Sequence, residues 1–488
     1  MGTVPGGSTR WARIAAGVAA ALALVAIWPP KPVAGQRATQ GRAVSGSPPN
    51  IVLILTDDQR WDELAFMPNL EADLVGDGVS FEPNGIISDP LCCPSRATIL
   101  TGTYSHTNGV YSNRGTYGGF PVFRANGDEQ NTIATVLQAQ GYRTGLVGKY
   151  LNEYTKKYVN YIPPGWDSWF ASIELKDGDP YYNWQASDDG RRVTYGSDPA
   201  SYSTTVFDQK ALDFIQSTLP TQPLFLYLAP HAPHYPMTPA PQYLGSLAGQ
   251  VPSLRAEPNF NEADVSDKPK FVRTLPLLTT SQMKSDQRQY EHQFESLRSV
   301  DDMIGDIVNE LQADGRLSNT LFVYLSDQGL ELGSHRLSGK LVPYEESIRT
   351  PFIVRWDALG IAPRVDPSLV SNVDIAATLA AAAGTTMPGT EGMDMLPLLQ
   401  DPGTPWRSDL LLESLGGADD PAFCGVRSAS YAYAQYLTGE EELYDLAADP
   451  GELDNQARNP AYRSTLLSMR DEAHLLCQPP PPGYHFSH

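Results

Sequence analysis

Four short aliphatic runs constrain this chain more than any other feature. Ile51–Leu55, Thr144–Val147, Leu224–Leu228 and Leu321–Leu325 show no polar alternation. The first reads as a central strand buried on both faces, which is the pattern of a parallel sheet covered by helices, and the other three read as further strands of it. Every run ends in a polar tip: Thr56-Asp57-Asp58, Gly148-Lys149, Ala229-Pro230-His231-Ala232-Pro233-His234, and Ser326-Asp327-Gln328-Gly329. Open α/β sheets bind ligands beyond the carboxyl ends of their strands. Two acidic and two basic tips are therefore expected to face one crevice.

Asp57, Asp58, Asp327 and the amide oxygen of Gln328 are hard oxygen ligands suited to Ca²⁺ or Mg²⁺. Lys149, His234, Arg96 and Lys340 are donors for a tetrahedral oxyanion. A metal together with these cations implies an anionic ester as substrate. Taken singly, an Asp-Asp after a strand is ordinarily a turn or helix cap, and a strand-end histidine is ordinarily structural. Their joint occurrence at four strand ends outweighs those readings. The stretch Cys92-Cys93-Pro94-Ser95-Arg96 to Gly102 adds a thiol at the start of a helix, with a guanidinium one turn later. That pairs a nucleophile precursor with an anion-binding cation at the positive end of the helix dipole.

The chain has 488 residues and a formal charge of −21, which bounds two domains, or one large domain with an appendage. An overall field of that sign repels an anionic ester, so local cations and a metal have to draw it in. It also argues against nucleic acid as a partner. Residues 1–35 read as a signal peptide or anchor, with Arg10 and Arg13 before the apolar run Ile14–Trp28 and small residues Val33-Ala34-Gly35 for cleavage. That run is short of the ~20 residues a spanning helix needs. The chain is thus expected to be secreted or displayed at the cell surface, and to meet a membrane only with its leader uncleaved. Residues 36–49 read as a linker.

The segment from Cys92 to Gly102 resembles the Cys-x-Pro-Ser-Arg-x-x-x-x-Thr-Gly pattern of the type I sulfatases. The resemblance extends over most of the chain: Ile51–Asp58 is similar to the family's first metal-binding strand, Ser326–Gly329 to its Ser-Asp-Asn-Gly, and Gly148-Lys149 to its Gly-Lys turn. Ala229–Pro236 is similar to its Pro-His-x-Pro segment, and His335–Arg355 to the stretch carrying a second lysine. It implies an alkaline-phosphatase-like α/β fold over residues 50–400 and a smaller C-terminal α+β domain over 401–478. It further implies conversion of Cys92 to formylglycine by a separate formylglycine-generating enzyme, and a metal held by Asp57, Asp58, Cys92, Asp327 and Gln328. Arg96 would steady the hydrated aldehyde, Lys149, His234 and Lys340 would bind the sulfuryl oxygens, and Lys340 or His234 would protonate the leaving group. With Cys92 converted, Cys424 and Cys477 become the natural disulfide pair, and Cys93 a buried thiol.

Two departures stand out. Gln328 replaces the family's asparagine, adding a methylene while keeping the ligand atom. Gly148-Lys149-Tyr150-Leu151-Asn152 lacks the histidine of Gly-Lys-Trp-His, leaving Asn152, His231 or His106 to handle a proton. The run Gly148–Tyr154, with Gly165-Trp166-Asp167 and Tyr181-Tyr182-Asn183, is most similar to the N-acetylglucosamine-6-sulfatases, so a sulfated carbohydrate is the implied substrate. Tyr and Trp between 150 and 184 would suit stacking on a sugar face or ordinary packing. Two alternatives remain: a phosphatase or phosphonate monoester hydrolase of the same superfamily, or a sulfoglycan-binding protein whose Cys92 is never converted.

Elsewhere, residues 240–280 read as a Pro-rich surface excursion that rims the pocket, and 282–313 as an amphipathic helix with Asp301-Asp302 on its solvated face. Short β-like runs follow residue 401, then a helix over 460–476. Residues 479–488 form a stiff, Pro-rich tail.

Overall fold

A computed structural model describes residues 46–487 apart from 177. The expected leader and most of the expected linker lie outside the described residues. No helix among the described residues is long and apolar enough to cross a membrane.

Ten strands form the main sheet: β1 (Asn50–Thr56), β2 (Val79–Ser80), β3 (Arg143–Gly148), β4 (Ser168–Ser172), β5 (Gln185–Asp188), β6 (Arg191–Thr194), β7 (Leu224–Ala229), β8 (Thr320–Ser326), β9 (Phe352–Arg355) and β10 (Arg364–Val365). Their spatial order is β10-β2-β9-β8-β1-β7-β3-β4-β5-β6. The middle five, β8 to β4, are mutually parallel, and antiparallel pairs close both sides. The four aliphatic runs are four of those five central strands.

Burial on both faces follows from the side-chain alternation of a strand. Ile51, Leu53 and Leu55 point into one core, while Val52 and Ile54 point into the other. The first core takes Cys93, Ala97, Ile99 and Leu100 of α1 (Cys92–Thr101), with α2 (Ile133–Ala139) and residues of α5 (Asp374–Ala382). The second takes Phe207, Ala211 and Phe214 of α3 (Ser203–Gln216), and Leu297, Val300, Ile304, Ile307 and Leu311 of α4 (Thr280–Ala313). α4 starts at a capping box in which the Thr279 hydroxyl accepts from Gln282 N and the Gln282 side chain answers the Thr279 N–H.

Two expectations change here. Asp301 is buried rather than solvated, because its carboxylate accepts from Leu70 N at 2.8 Å, and Asp302 accepts from the Tyr243 hydroxyl. The α4 register puts both between elements. Residues 240–280 do not rim the crevice: Leu247, Val251, Leu254 and Phe260 pack against Tyr290 and Phe294 of α4 as a further core. The segment is a surface excursion as expected, exposed over most of its length, and it is anchored by these few buried side chains. The C-terminal tail also packs, with Tyr484 buried and its hydroxyl donating to Gln435 O at 2.9 Å.

Beyond residue 401 lies a small antiparallel sheet of β11 (Asp409–Ser414), β12 (Phe423–Ser428), β13 (Tyr431–Tyr436) and β14 (Glu441–Asp445), in that order, covered by α6 (Arg463–Leu476). Cys424 on β12 is joined to Cys477 after α6 by a disulfide, while Cys92 and Cys93 are free and buried.

Register sets the crevice. Thr56 pairs with Ser326, and Gly148 with Ala229, so the strand tips end level. Hydrogen bonds continue past them: Asp327 N to Thr56 O at 3.1 Å, Lys149 N to Ala229 O at 2.8 Å, and Asp57 N to Ala232 O at 3.3 Å. Gly148 permits the close approach, since it sits at φ +113° and a Cβ there would lie 2.1 Å from Ala229 O. Gly148→Ala should therefore cost about 3 kcal/mol or more through combined strain and overlap. A urea titration reads this directly, and an unchanged midpoint would show that the β3–β7 approach is not rigid.

Candidate active site

The tips converge as charged groups of both signs. Cys92 is the first residue of α1, a helix buried along its whole length, so its side chain starts at the positive end of the helix dipole. Arg96, four residues on, lies on the same face. Its Nε donates to Asp327 Oδ2 at 2.7 Å and its Nη1 to Lys149 O at 3.0 Å, with Asp57 Oδ2 3.8 Å from Nη2. Arg96 thus ties together the tips of β1, β3 and β8.

Lys149 Nζ donates to Asp57 Oδ2 and Lys340 Nζ to Asp58 Oδ1. Lys340 Nζ also lies 3.1 Å from Cys92 Sγ, and Gln328 Nε2 lies 3.6 Å from it. His234 Nε2 is 3.6 Å from Asp58 Oδ2, and its Nδ1 is held 2.7 Å from Tyr235 O. The loop after β1 turns sharply at Asp58, φ +66°, a left-handed conformation that aspartate tolerates better than most residues. Every catalytic and metal-ligand candidate from the sequence, apart from the three residues left to handle a proton, is in this cluster.

Electrostatics follow from the mixture. Burial alone would raise the Asp57 carboxyl, yet Lys149, His234 and Arg96 hold it well below the usual range. Burial works against the charge on Lys149 and Lys340, but Asp57 and Asp58 respectively keep both above their ordinary values. Burial also lowers His234, while Asp58 and Asp57 carry it up to about 9. The Cys92 thiol, penalised by burial, is nonetheless held below its ordinary value by Lys149 and Lys340. Next to it, burial pushes Cys93 up to about 12; its backbone N–H donates to Asn113 Oδ1 at 2.8 Å. Two adjacent cysteines therefore differ in kind, one facing cations and one facing core.

A cation fits this arrangement. Ligand atoms of Asp57, Asp58, Cys92 and His234 all lie within 4.8 Å of one another. Asp57 Oδ1 and Gln328 Oε1 are buried with no hydrogen-bond partner, and each orphaned acceptor costs about 1–3 kcal/mol. A hard, oxygen-seeking ion such as Ca²⁺ or Mg²⁺ is the kind of partner such oxygens lack.

The Sulfatase family model matches residues 49–385 of this chain. The chain belongs to the sulfatase family. It is an enzyme, a sulfuric ester hydrolase. A second model, N-sulphoglucosamine sulphohydrolase C-terminal, matches residues 333–477. Human N-acetylglucosamine-6-sulfatase is 31% identical over 91% of this chain and 89% of its own length. An extracellular sulfatase Sulf-1 homolog of Caenorhabditis elegans is 34% identical over 75% of this chain, which spans about half (52%) of that relative. A protein solved in complex with its substrate D-glucosamine-2-N,6-O-disulfate has the same fold: TM-score 0.73 at 24% identity, covering 88% of this chain and 98% of the other.

Beside the charged cluster this sulfatase has a cavity of about 570 Å³, lined by Asp57, Lys149, Asn152, Ser172, His231 and His234, with Asn113, Arg114, Glu174, Lys176, Trp184 and Tyr235 among its walls. Of the three proton-handling candidates, Asn152 and His231 face it. His231 Nε2 lies 2.9 Å from Ser172 Oγ, and burial pushes this ring down to about 3, so it is neutral. His106 is elsewhere: its Nδ1 lies 3.1 Å from Glu413 Oε1 on β11, and its Nε2 is 3.5 Å from Glu391. Most of the aromatics proposed for a sugar face are structural. Tyr150, Tyr154 and Trp169 interlock with Phe120, and Tyr181 stacks on Tyr202. Asn113, Arg114, Ser172, Glu174 and Lys176 were not singled out in the sequence. Ser172 had a readable signal as the end of the fifth parallel strand, whereas the others sit on loops without a motif.

Arg96→Ala would leave Asp327 buried without its partner, so stability should fall by about 3–5 kcal/mol. Calorimetry of the variant measures this, and a wild-type melting temperature would remove Arg96 from its tying role. Glu391 and Glu413, working against burial, hold His106 up to about 10. That pairing stabilises the fold fully below the free imidazole value of ~6.5 and weakens as pH rises toward 10. The stability gap between wild type and His106→Gln should thus be widest near pH 6 and narrow progressively above it. A gap constant across that range in urea titrations would contradict the pairing.

Proposed function

We propose that this sulfatase is exported and removes sulfate from a sulfated sugar of the N-acetylglucosamine 6-sulfate type. The observation that carries the reading is the convergence of Cys92 Sγ, Lys340 Nζ and ligand atoms of Asp57, Asp58 and His234 at one crevice. The relatives named N-acetylglucosamine-6-sulfatase and extracellular sulfatase support the substrate class and the export. The leader read at residues 1–35 supports export as well.

Asp57, Asp58, Asp327 and Gln328, together with residue 92, would hold Ca²⁺ or Mg²⁺. The ion would supply a Lewis acid that polarises a sulfate oxygen and favours the ionised form of the nucleophile. In this reading Cys92 is matured to formylglycine by a formylglycine-generating enzyme, and Sγ marks where an oxygen of the hydrated aldehyde stands. Arg96 is pinned by Asp327 and Lys149 O, so it fixes the carboxylates around that oxygen. Lys149, Lys340 and protonated His234 offer N–H donors to the sulfuryl oxygens and neutralise charge that grows as the ester bond breaks. Lys340 or His234 carries the proton that the leaving alkoxide takes. His231, neutral and bonded to Ser172, and Asn152 line the same cavity and are the two candidates left to position or accept the diol proton.

Two measurements test the reading. Peptide mass spectrometry of the Cys92 fragment from the native host should show an aldehyde mass in place of the thiol; a thiol under every growth condition would sink the hydrolase mechanism and favour a sulfoglycan-binding protein. Cys92→Ala should abolish turnover of N-acetylglucosamine 6-sulfate and aryl sulfate with the fold intact, and Asp327→Ala should lose metal and turnover together. Cys93→Ser should be far milder. Turnover of a matched aryl phosphate in preference to the sulfate would replace the substrate class.

A further inference from the structure

A second cluster of buried ligands stands behind the crevice. His335, Glu346 and Glu452 each offer one ligand atom, all within 4.8 Å of one another, and all three residues are buried. Glu346 Oε1 accepts from Asn259 Nδ2 at 2.8 Å, and Glu452 Oε2 accepts from Glu345 N at 2.9 Å. The remaining oxygens, Glu346 Oε2 and Glu452 Oε1, have no partner. Nor does either carboxylate oxygen of Glu331, a side chain 1% exposed. A buried carboxylate left unpaired is among the most costly arrangements a fold can contain. The nearby cations are committed elsewhere: Lys268 Nζ donates to Tyr444 Oη and to the carbonyls of Glu452 and Leu453, and Arg60 to Asp62 and Glu257.

His335 supplies the nitrogen that a metal would need here. Its Nδ1 is 2.7 Å from Glu262 Oε2. That fixes the tautomer with Nδ1 protonated, leaving Nε2 as a lone pair that faces carboxylates. A carboxylate holding the distal N–H of a ligating imidazole is the usual outer support of a metal-bound histidine. The contact Nε2 makes is a weak one, to Asn259 Nδ2 at 3.4 Å. One imidazole nitrogen and two carboxylates match Zn²⁺ or Mn²⁺ better than an all-oxygen Ca²⁺ site.

We propose that His335, Glu346 and Glu452 bind a structural divalent cation, Zn²⁺ or Mn²⁺, distinct from the ion of the crevice, with Glu331 completing its negative surroundings. Such an ion would join three segments. His335 and Glu346 bracket the loop that carries Lys340. Glu331 follows Asp327 and Gln328 by a few residues. Glu452 comes from the segment after β14. The ion would thereby hold the Lys340 loop and the β8 tip to the C-terminal part of the chain, without touching substrate.

The test is metal analysis of the full-length protein after exchange into metal-free buffer containing saturating Ca²⁺. About one equivalent of Zn²⁺ or Mn²⁺ per chain is expected, retained by Asp327→Ala and lost by Glu452→Gln. Loss in Asp327→Ala with retention in Glu452→Gln would move the ion to the crevice and overturn the proposal, as would wild-type protein that takes up neither ion when both are supplied. Should Glu452→Gln fail to fold, anomalous diffraction of wild-type crystals at the zinc and manganese edges decides. A peak beside His335 Nε2 supports the site, and none there refutes it. Neither readout depends on the sulfatase reaction or on the maturation of Cys92.

Discussion

Asp57, Asp58 and Asp327 are buried side by side, and the rest of the crevice depends on how their charge is offset. Three carboxylates cannot share a water-poor pocket unless positive charge is placed among them. Arg96, Lys149 and Lys340 do this from three different parts of the chain. Removing the sheet register would separate each acid from its cation by the spacing of a strand. The parallel ladder is thus an electrostatic device as much as a packing one. It brings groups that are far apart in sequence to contact distance before any ligand arrives.

The same reasoning separates what was legible in the sequence from what was not. Aliphatic runs buried on both faces leave no choice of register face, so their ends, and the polar residues just beyond, were readable from residue type alone. Cys92 and Arg96 were readable because helical spacing fixes the face they share. Asp301 was misread because a pair of acids on an amphipathic helix looks solvated unless the neighbouring loop is known. Its partner, Leu70 N, lies 231 residues away. Tyr150, Tyr154 and Tyr181 were ambiguous because a phenol suits a sugar face and a core equally. His106 carried no local mark of its pairing, since Glu391 and Glu413 approach it from distant segments.

Residues 240–280 show the limit of composition as a guide. Proline and glycine there break regular structure and leave most of the segment exposed, which says nothing of where its few apolar side chains go. Leu247, Leu254 and Phe260 still bury apolar surface against α4. Irregular backbone that is packed serves the crevice indirectly, because Asn259 and Glu262 from this segment brace His335 and Glu346 beside the Lys340 loop.

The burial of α1 bears on timing. Cys92 is 1% exposed, on a helix with no solvent-facing position, held against the sheet by Arg96. A second protein can act on a thiol only where it can reach it, and the folded state leaves this one covered. Any enzymatic change to this cysteine therefore belongs to the interval between synthesis and the docking of α1. A slower-folding variant would lengthen that interval, and a faster-folding one would close it. Folding rate, a property usually tied to stability and yield, would then also limit the extent of any such change.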